Sequence, residues 1–183
     1  MITRLFALIL LVILSPIFLV VALFILIEDG IPVFFTQKRV GINYTFFNIY
    51  KFRSMKKNTP NVATHQLINP DQYLLKIGKF IRKNSLDELP NLINIFKGKM
   101  VFVGPRPALY NQDDLMTLRV ATGVDKLKPG ITGWAQINGR DDISIERKVQ
   151  LEQEYLQKKS FLFDVEILIK TFTNVLFSKG VSH

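Results

Sequence analysis

From Leu5 to Ile27 the chain is apolar for 23 residues, interrupted only by Ser15 and Pro16. A single straight helix of that length would measure about 35 Å, against about 30 Å for the hydrocarbon core of a bilayer. Pro16 stands at the middle of the run, where its ring clashes with the Val12 carbonyl and offers it no N–H. In lipid that carbonyl needs another donor, and the Ser15 hydroxyl is the nearest candidate. Each half is about 17 Å long, so the segment can cross with a kink or enter one leaflet and return to the same face. A secretory signal fits poorly, because the apolar region is too long and no A-x-A site precedes Glu28.

Charge orients the segment. Glu28 and Asp29 are followed by Lys38, Arg39, Lys51, Arg53, Lys56 and Lys57, against Arg4 alone upstream. The positive-inside bias places the C-terminal part in the cytoplasm for either topology. The 183 residues allow one domain of ordinary size. The absence of cysteine excludes a disulfide framework, Cys-ligated zinc, iron–sulfur clusters and a thiol nucleophile. With only His65 and His183 present, a His-rich metal site or a Ser-His-Asp triad has little to build on. Chemistry must come mostly from carboxylates, arginines and backbone. The net charge of +9 suits anionic lipid or a phosphorylated substrate. Nucleic acid is disfavoured, since the chain is tethered to a membrane and shows no recognisable binding motif.

Downstream, Ile31 to Val40 and Tyr44 to Met55 read as strands of a hairpin turning at Gly41-Ile42-Asn43. Residues 56–71 read as a loop containing His65. Tyr73 to Lys83 mixes apolar and basic residues at helical spacing, which fits a helix in the lipid interface or one packed on the core. Met100 to Val103 reads as a short buried strand closed by Gly104-Pro105. Residues 126–141 are turn-rich. Ile143 to Lys159 and Asp164 to Lys179 read as helices, the second with Val165, Leu168, Ile169, Phe172, Val175 and Leu176 on an apolar face and Gly180 as its stop.

Ser85-Leu86-Asp87-Glu88-Leu89-Pro90 is the sharpest local pattern. Ser85 and Glu88 have the spacing of a capping box, with Asp87 a first-turn acid favoured by the helix dipole. Pro90 conflicts with a regular helix, so an irregular start with the two carboxylates pointing in different directions is expected. A divalent cation is one way to keep adjacent acids ionised. Pro105-Arg106-Pro107 stiffens the backbone around one guanidinium, as a bidentate phosphate clamp requires, although a surface ion pair would use the same arginine. Gly139-Arg140-Asp141 follows the same logic.

Five segments occur in one order: Ser15-Pro16 in the apolar N-terminus, KFRSM (51–55), SLDELPNLINIFKG (85–98), VGPRPAL (103–109) and KPGITGWAQINGRD (128–141). This series resembles the bacterial sugar transferase family, the small monotopic polyprenyl-phosphate phosphoglycosyl transferases, over nearly the whole chain. Lys99 and Phe102 depart from the Asp and Ser commoner in that stretch. The resemblance implies an α+β fold, with an N-terminal re-entrant membrane helix broken at Ser15-Pro16 (residues 1–29). A compact cytoplasmic-face catalytic domain (30–183) follows, with amphipathic interfacial helices and a short β-hairpin. It implies transfer of a phosphosugar from a UDP-sugar to undecaprenyl phosphate with release of UMP, at the cytoplasmic face of the bacterial inner membrane. By the same resemblance, Asp87 is the nucleophile that carries a covalent phosphosugar and Glu88 is its partner. Mg²⁺ is the cofactor, with Asp87 and Glu88 as its ligands. Arg106 and Arg140 are phosphate-contacting, and Arg53, Arg82 and Asp141 also fall in motif positions. An N-acetylated amino sugar of the bacillosamine kind, used in protein glycosylation, is the donor expected for a small member. Two other classes remain open on the sequence: a direct glycosyltransferase releasing UDP, and a non-catalytic basic membrane adaptor.

Overall fold

The computed structural model describes residues 2–60, 69–139 and 143–176. Helix α1 (Ile2–Ile13) and helix α2 (Ser15–Asp29) are bent by 58° relative to each other. At the bend Ser15 Oγ donates to the Val12 carbonyl at 2.7 Å, supplying the hydrogen bond that Pro16 cannot. Among the described residues no single helix is long and apolar enough to cross a membrane, whereas this bent pair together satisfies length and composition.

Strands β1 (Phe34–Val40) and β2 (Phe46–Phe52) form the expected antiparallel hairpin, with Phe34 opposite Phe52 and Val40 opposite Phe46. The turn is a 3₁₀ segment, Ile42–Tyr44. Helix α3 (Lys76–Lys83) and helix α4 (Leu92–Phe96) flank another 3₁₀ segment, Leu86–Asn91. Then come β3 (Val101–Val103), α5 (Asp113–Thr122), β4 (Gly130–Thr132), α6 (Trp134–Ile137), α7 (Ile145–Lys158) and α8 (Phe161–Leu176). Strands β3 and β4 pair in parallel, Val101 with Gly130 and Val103 with Thr132. The fold is α+β.

Both halves of the broken helix share a core with the rest of the chain. Ala7 of α1 packs with Phe47 and Ile49 of β2 and with Leu92 and Ile95 of α4. Val21 and Ile25 of α2 pack with Phe52, Leu75 and Ile81. The remaining faces are bare, and Leu5, Ile9, Val12, Leu19, Leu23, Phe24 and Ile27 are all exposed. Polar contacts lock the end of α2. Glu28 accepts from the backbone N–H groups of Lys76 (2.6 Å) and Ile77 (3.3 Å), capping α3 from outside its own sequence. Asp29 accepts from Arg53 and from the N–H of Lys57.

The apolar stripe read on the last helix is not its packed face. Leu168, Ile169 and Phe172 are exposed. The inward line is Phe163, Ile167 and Thr171, the last hydrogen-bonded to Thr132 at 2.7 Å. A four-residue step keeps these three on one side of a helix.

Candidate active site

The segment carrying Asp87 and Glu88 folds as a 3₁₀ turn because two of its residues refuse a regular helix. Ser85 adopts a left-handed conformation (φ 55°), and Pro90 lies inside the turn. The capping box does not form. Ser85 makes no side-chain cap bond, and only its carbonyl accepts from Glu88 N, at 3.3 Å. The Glu88 carboxylate is thereby available to a neighbouring strand.

That strand is β2. Lys51 Nζ lies 2.6 Å from Glu88 Oε1 and 3.9 Å from Asp87 Oδ2, so the carboxylates converge on one ammonium instead of diverging as expected. Arg106 Nη1 approaches Glu88 Oε1 at 3.4 Å from the other side. Asp87 is only 8% exposed. Burial pushes its pKa above the ordinary carboxylate range; Lys51, and to a smaller extent Arg82, oppose the rise, while Glu88 adds to it. An open cleft of about 290 Å³ is lined by Lys51, Glu88, Arg106, Arg39 and Asn91 among others. Three cations against one carboxylate make it a place for an anion.

Arg106 is held by its backbone. Gly104 N donates to Thr132 O and Gly130 N to Pro105 O, each at 2.9 Å. The two loops approach so closely that a Cβ on Gly130 would stand 2.2 Å from Gly104 N, which no side chain tolerates. Arg39 Nη1 donates to Pro107 O at 2.9 Å. Arg119 Nη2 donates to Arg106 O at 2.9 Å, and Arg119 is itself fixed by Glu152 through bonds of 2.8 and 2.5 Å. The stiffness expected from two prolines is reinforced from three directions.

The expected site residues therefore divide. Asp87, Glu88 and Arg106 come together, and Arg82 acts on Asp87 through its charge. Arg53 sits elsewhere. Its five N–H donors are all engaged, with the Asp29 carboxylate and with the carbonyls of Asp29, Gly30, Pro32 and Met55. Like Asp87 and Arg82 it is not among the residues lining the cleft, but unlike them it neither contacts Lys51 nor acts on Asp87. Ser15 and Pro16 form the bend of the apolar helix pair. Arg140 and Asp141, like His65 and His183, lie outside the described residues. In the sequence Lys51 stands out only as one of the basic residues after the apolar run and as part of KFRSM, and the signal for a role of its own is alternation. Phe47 and Ile49 are buried, so Lys51 continues the core-facing side of β2 and needs a counter-charge there.

A sequence model of the bacterial sugar transferase family matches residues 1–178. The chain is 44% identical over 155 residues to the uncharacterised sugar transferase EpsL of Bacillus subtilis, covering 85% of this chain and 75% of that protein. It is 35% identical over 191 residues to the exopolysaccharide production protein ExoY of Sinorhizobium fredii, covering 96% and 84%. To the UDP-glucose:undecaprenyl-phosphate glucose-1-phosphate transferase of Escherichia coli it is 37% identical over 172 residues, covering 90% of this chain but 37% of that longer protein.

Proposed function

The chain belongs to the bacterial sugar transferase family, and we propose that it moves a phosphosugar from a UDP-sugar to undecaprenyl phosphate, releasing UMP. The observation that carries this reading is that Asp87 and Glu88 meet on Lys51, while Lys51, Glu88 and Arg106 line a cationic cleft; Asp87 reaches that cleft through its contact with Lys51 and is not itself in the lining. The names of relatives in Escherichia coli and Komagataeibacter xylinus include undecaprenyl phosphate.

In this reading a carboxylate oxygen of Asp87 attacks the β-phosphorus of the donor. The bond from that phosphorus to the UMP oxygen breaks, and an aspartyl phosphosugar remains. A phosphate oxygen of the lipid acceptor then attacks the same phosphorus and regenerates Asp87. Burial assists, because a carboxylate stripped of water is a stronger nucleophile than a solvated one. Lys51 and Arg106 offset the repulsion between that carboxylate and an anionic phosphate. Arg140, Arg82 and Asp141 are proposed to complete the phosphate site, whereas the saturated guanidinium of Arg53 is better suited to holding the end of α2.

Among the described residues no group of three Asp, Glu, His or Cys side chains could hold a metal. Two adjacent carboxylates nonetheless fit Mg²⁺, which takes one or two carboxylates plus substrate phosphate oxygens. When bound, it would neutralise diphosphate charge, with Asp87 and Glu88 as its protein ligands. Chelation with EDTA is expected to stop UMP release.

The bare apolar faces of α1 and α2 support a re-entrant anchor in the cytoplasmic leaflet of the bacterial inner membrane, residues 1–29, carrying the catalytic part 30–183. Water would not tolerate so large a contiguous apolar surface. The lipid acceptor leaves the bilayer only at about 0.8 kcal/mol per exposed CH₂, so the reaction belongs at the interface. Cysteines placed at residues 2 and 183 should both label from the cytoplasmic side; labelling of residue 2 from the far side alone would establish a true span.

The deciding experiment is incubation of the full chain with single UDP-sugars, an N-acetylated amino sugar as well as the glucose and galactose donors that relatives' names suggest. UMP release with a phosphosugar adduct on the peptide carrying Asp87 is expected. Release of UDP would overturn the reading in favour of a direct glycosyltransferase.

A further inference from the structure

Asn91 is 4% exposed, yet it lines the cleft beside Lys51, Glu88 and Arg106. Its Oδ1 accepts two hydrogen bonds, from the backbone N–H of Tyr50 at 3.1 Å and from Asn94 Nδ2 at 3.2 Å. Rotating the amide by half a turn would set its NH₂ against two donors, so the network leaves one orientation. Asn94 is equally committed, because its second Nδ2 hydrogen goes to the carbonyl of Asn48 at 3.1 Å. The oxygen side of Asn91 is thus pinned to β2 and α4, and the nitrogen side is turned the other way. Among the described residues neither Nδ2 hydrogen has an acceptor, and although the residue as a whole is 4% exposed, this nitrogen is not one of the enclosed unpaired atoms and so reaches solvent. An amide NH₂ that solvent reaches, on a residue lining a cleft, can exchange its water for an acceptor on a ligand.

The geometry points to Asn91 as a substrate-contacting residue whose Nδ2 donates to a non-bridging oxygen of the donor diphosphate, with Asn94 as its positioning residue. This inference rests on the proposed phosphoglycosyl transfer. The ligand class follows from the company the amide keeps, since a cleft lined by Arg39, Lys51 and Arg106 selects an anion. A neutral donor among cations has a particular use there. It adds direction without adding charge, and an oxygen gaining charge as the P–O bond breaks is stabilised by a dipole already aimed at it.

The test uses the full-length chain in nanodiscs, with the Asn91 side-chain amide signal identified by its loss in Asn91→Asp. Adding UDP or inorganic diphosphate should shift that amide pair saturably. Asn91→Ala and Asn91→Asp should each lower kcat by about 10²-fold, the usual loss for one such donor. Asn91→Asp keeps the acceptor toward Tyr50 and Asn94 but buries a carboxylate, so its thermal midpoint is expected to fall, and kcat measured well below that midpoint separates contact from folding. Asn94→Ala should lower kcat less and broaden the Asn91 amide signal. An amide pair indifferent to both anions, in a wild-type protein that turns over, would overturn the assignment while leaving the proposed function standing. So would Asn91→Ala turnover within a factor of about three of wild type, far short of the loss expected for such a donor. Absence of UMP release from every UDP-sugar would instead remove the proposed function, and the inorganic diphosphate titration would still decide whether Asn91 grips a phosphate.

Discussion

Two arginine–carboxylate junctions flank the end of β2, and they are built to opposite rules. At the foot of α2, the Arg53 guanidinium places every donor on the Asp29 carboxylate or on backbone carbonyls. At the cleft, Lys51 and Arg106 meet Glu88 around an open volume, and the Arg106 side chain remains 32% exposed. Lys51 and Arg53 are two residues apart, so one strand end serves both. Saturated hydrogen bonding marks a joint; cations grouped around an accessible space mark a binding site. The lesson is that residue type and motif membership do not distinguish these roles, whereas the state of each donor does.

The largest effect that can break this comparison lies at Asp87. Asp87→Asn should lower UMP release by at least about 10⁴-fold, as for the loss of a nucleophile elsewhere. The same change should raise the thermal midpoint at neutral pH. The raised pKa means that the folded protein disfavours the ionised form; that penalty is present at neutral pH and is relieved as pH falls through the folded-state value. The stability difference between Asn and Asp should accordingly shrink on acidification, as thermal unfolding across pH would show.

Lys51→Met comes next, with turnover expected to fall by about 10²-fold. Lys51 is the strongest influence holding the Asp87 pKa down. Without it Asp87 binds its proton at higher pH, so the acid limb of the rate profile should move upward. An unmoved limb would mean that the ammonium does not govern Asp87.

Arg53→Lys tests the joint. Lysine keeps the charge but has three donors instead of a five-donor fork. Carbonyls of Gly30 and Pro32 lose their partner, at a cost of about 1–3 kcal/mol for each buried acceptor left unmet. The effect is expected in thermal unfolding and not in the KM for the UDP-sugar; a rise in KM at unchanged midpoint would return Arg53 to the phosphate site. Ser15→Ala should be the mildest, removing one bond to the Val12 carbonyl for about 1 kcal/mol, read as a small fall in the midpoint.

Much of the architecture was legible because it is local. The broken apolar helix, its Ser15 hydrogen bond, the hairpin and the last two helices follow from periodicity and from the chemistry of one proline. Helix α5 has no clear apolar stripe, and its sequence carries no helical signal of that kind. The β3–β4 pair was only half seen, since three-residue strands carry little pattern and their partners lie far apart in the chain. The capping box was a sound inference from Ser85 and Glu88, but a left-handed Ser85 and the attraction of Lys51 displaced it.

By itself, the order of residues determined the bent apolar helix pair, the cationic character of the rest and the few groups able to do chemistry, because these depend on composition and on neighbours along the chain. Only the tertiary structure decided that Lys51 would join Asp87 and Glu88, that Arg53 would close a joint, and that Asn91 would line the cleft. Those outcomes depend on which donors and acceptors remain unmet once distant segments pack, and that balance exists only in three dimensions.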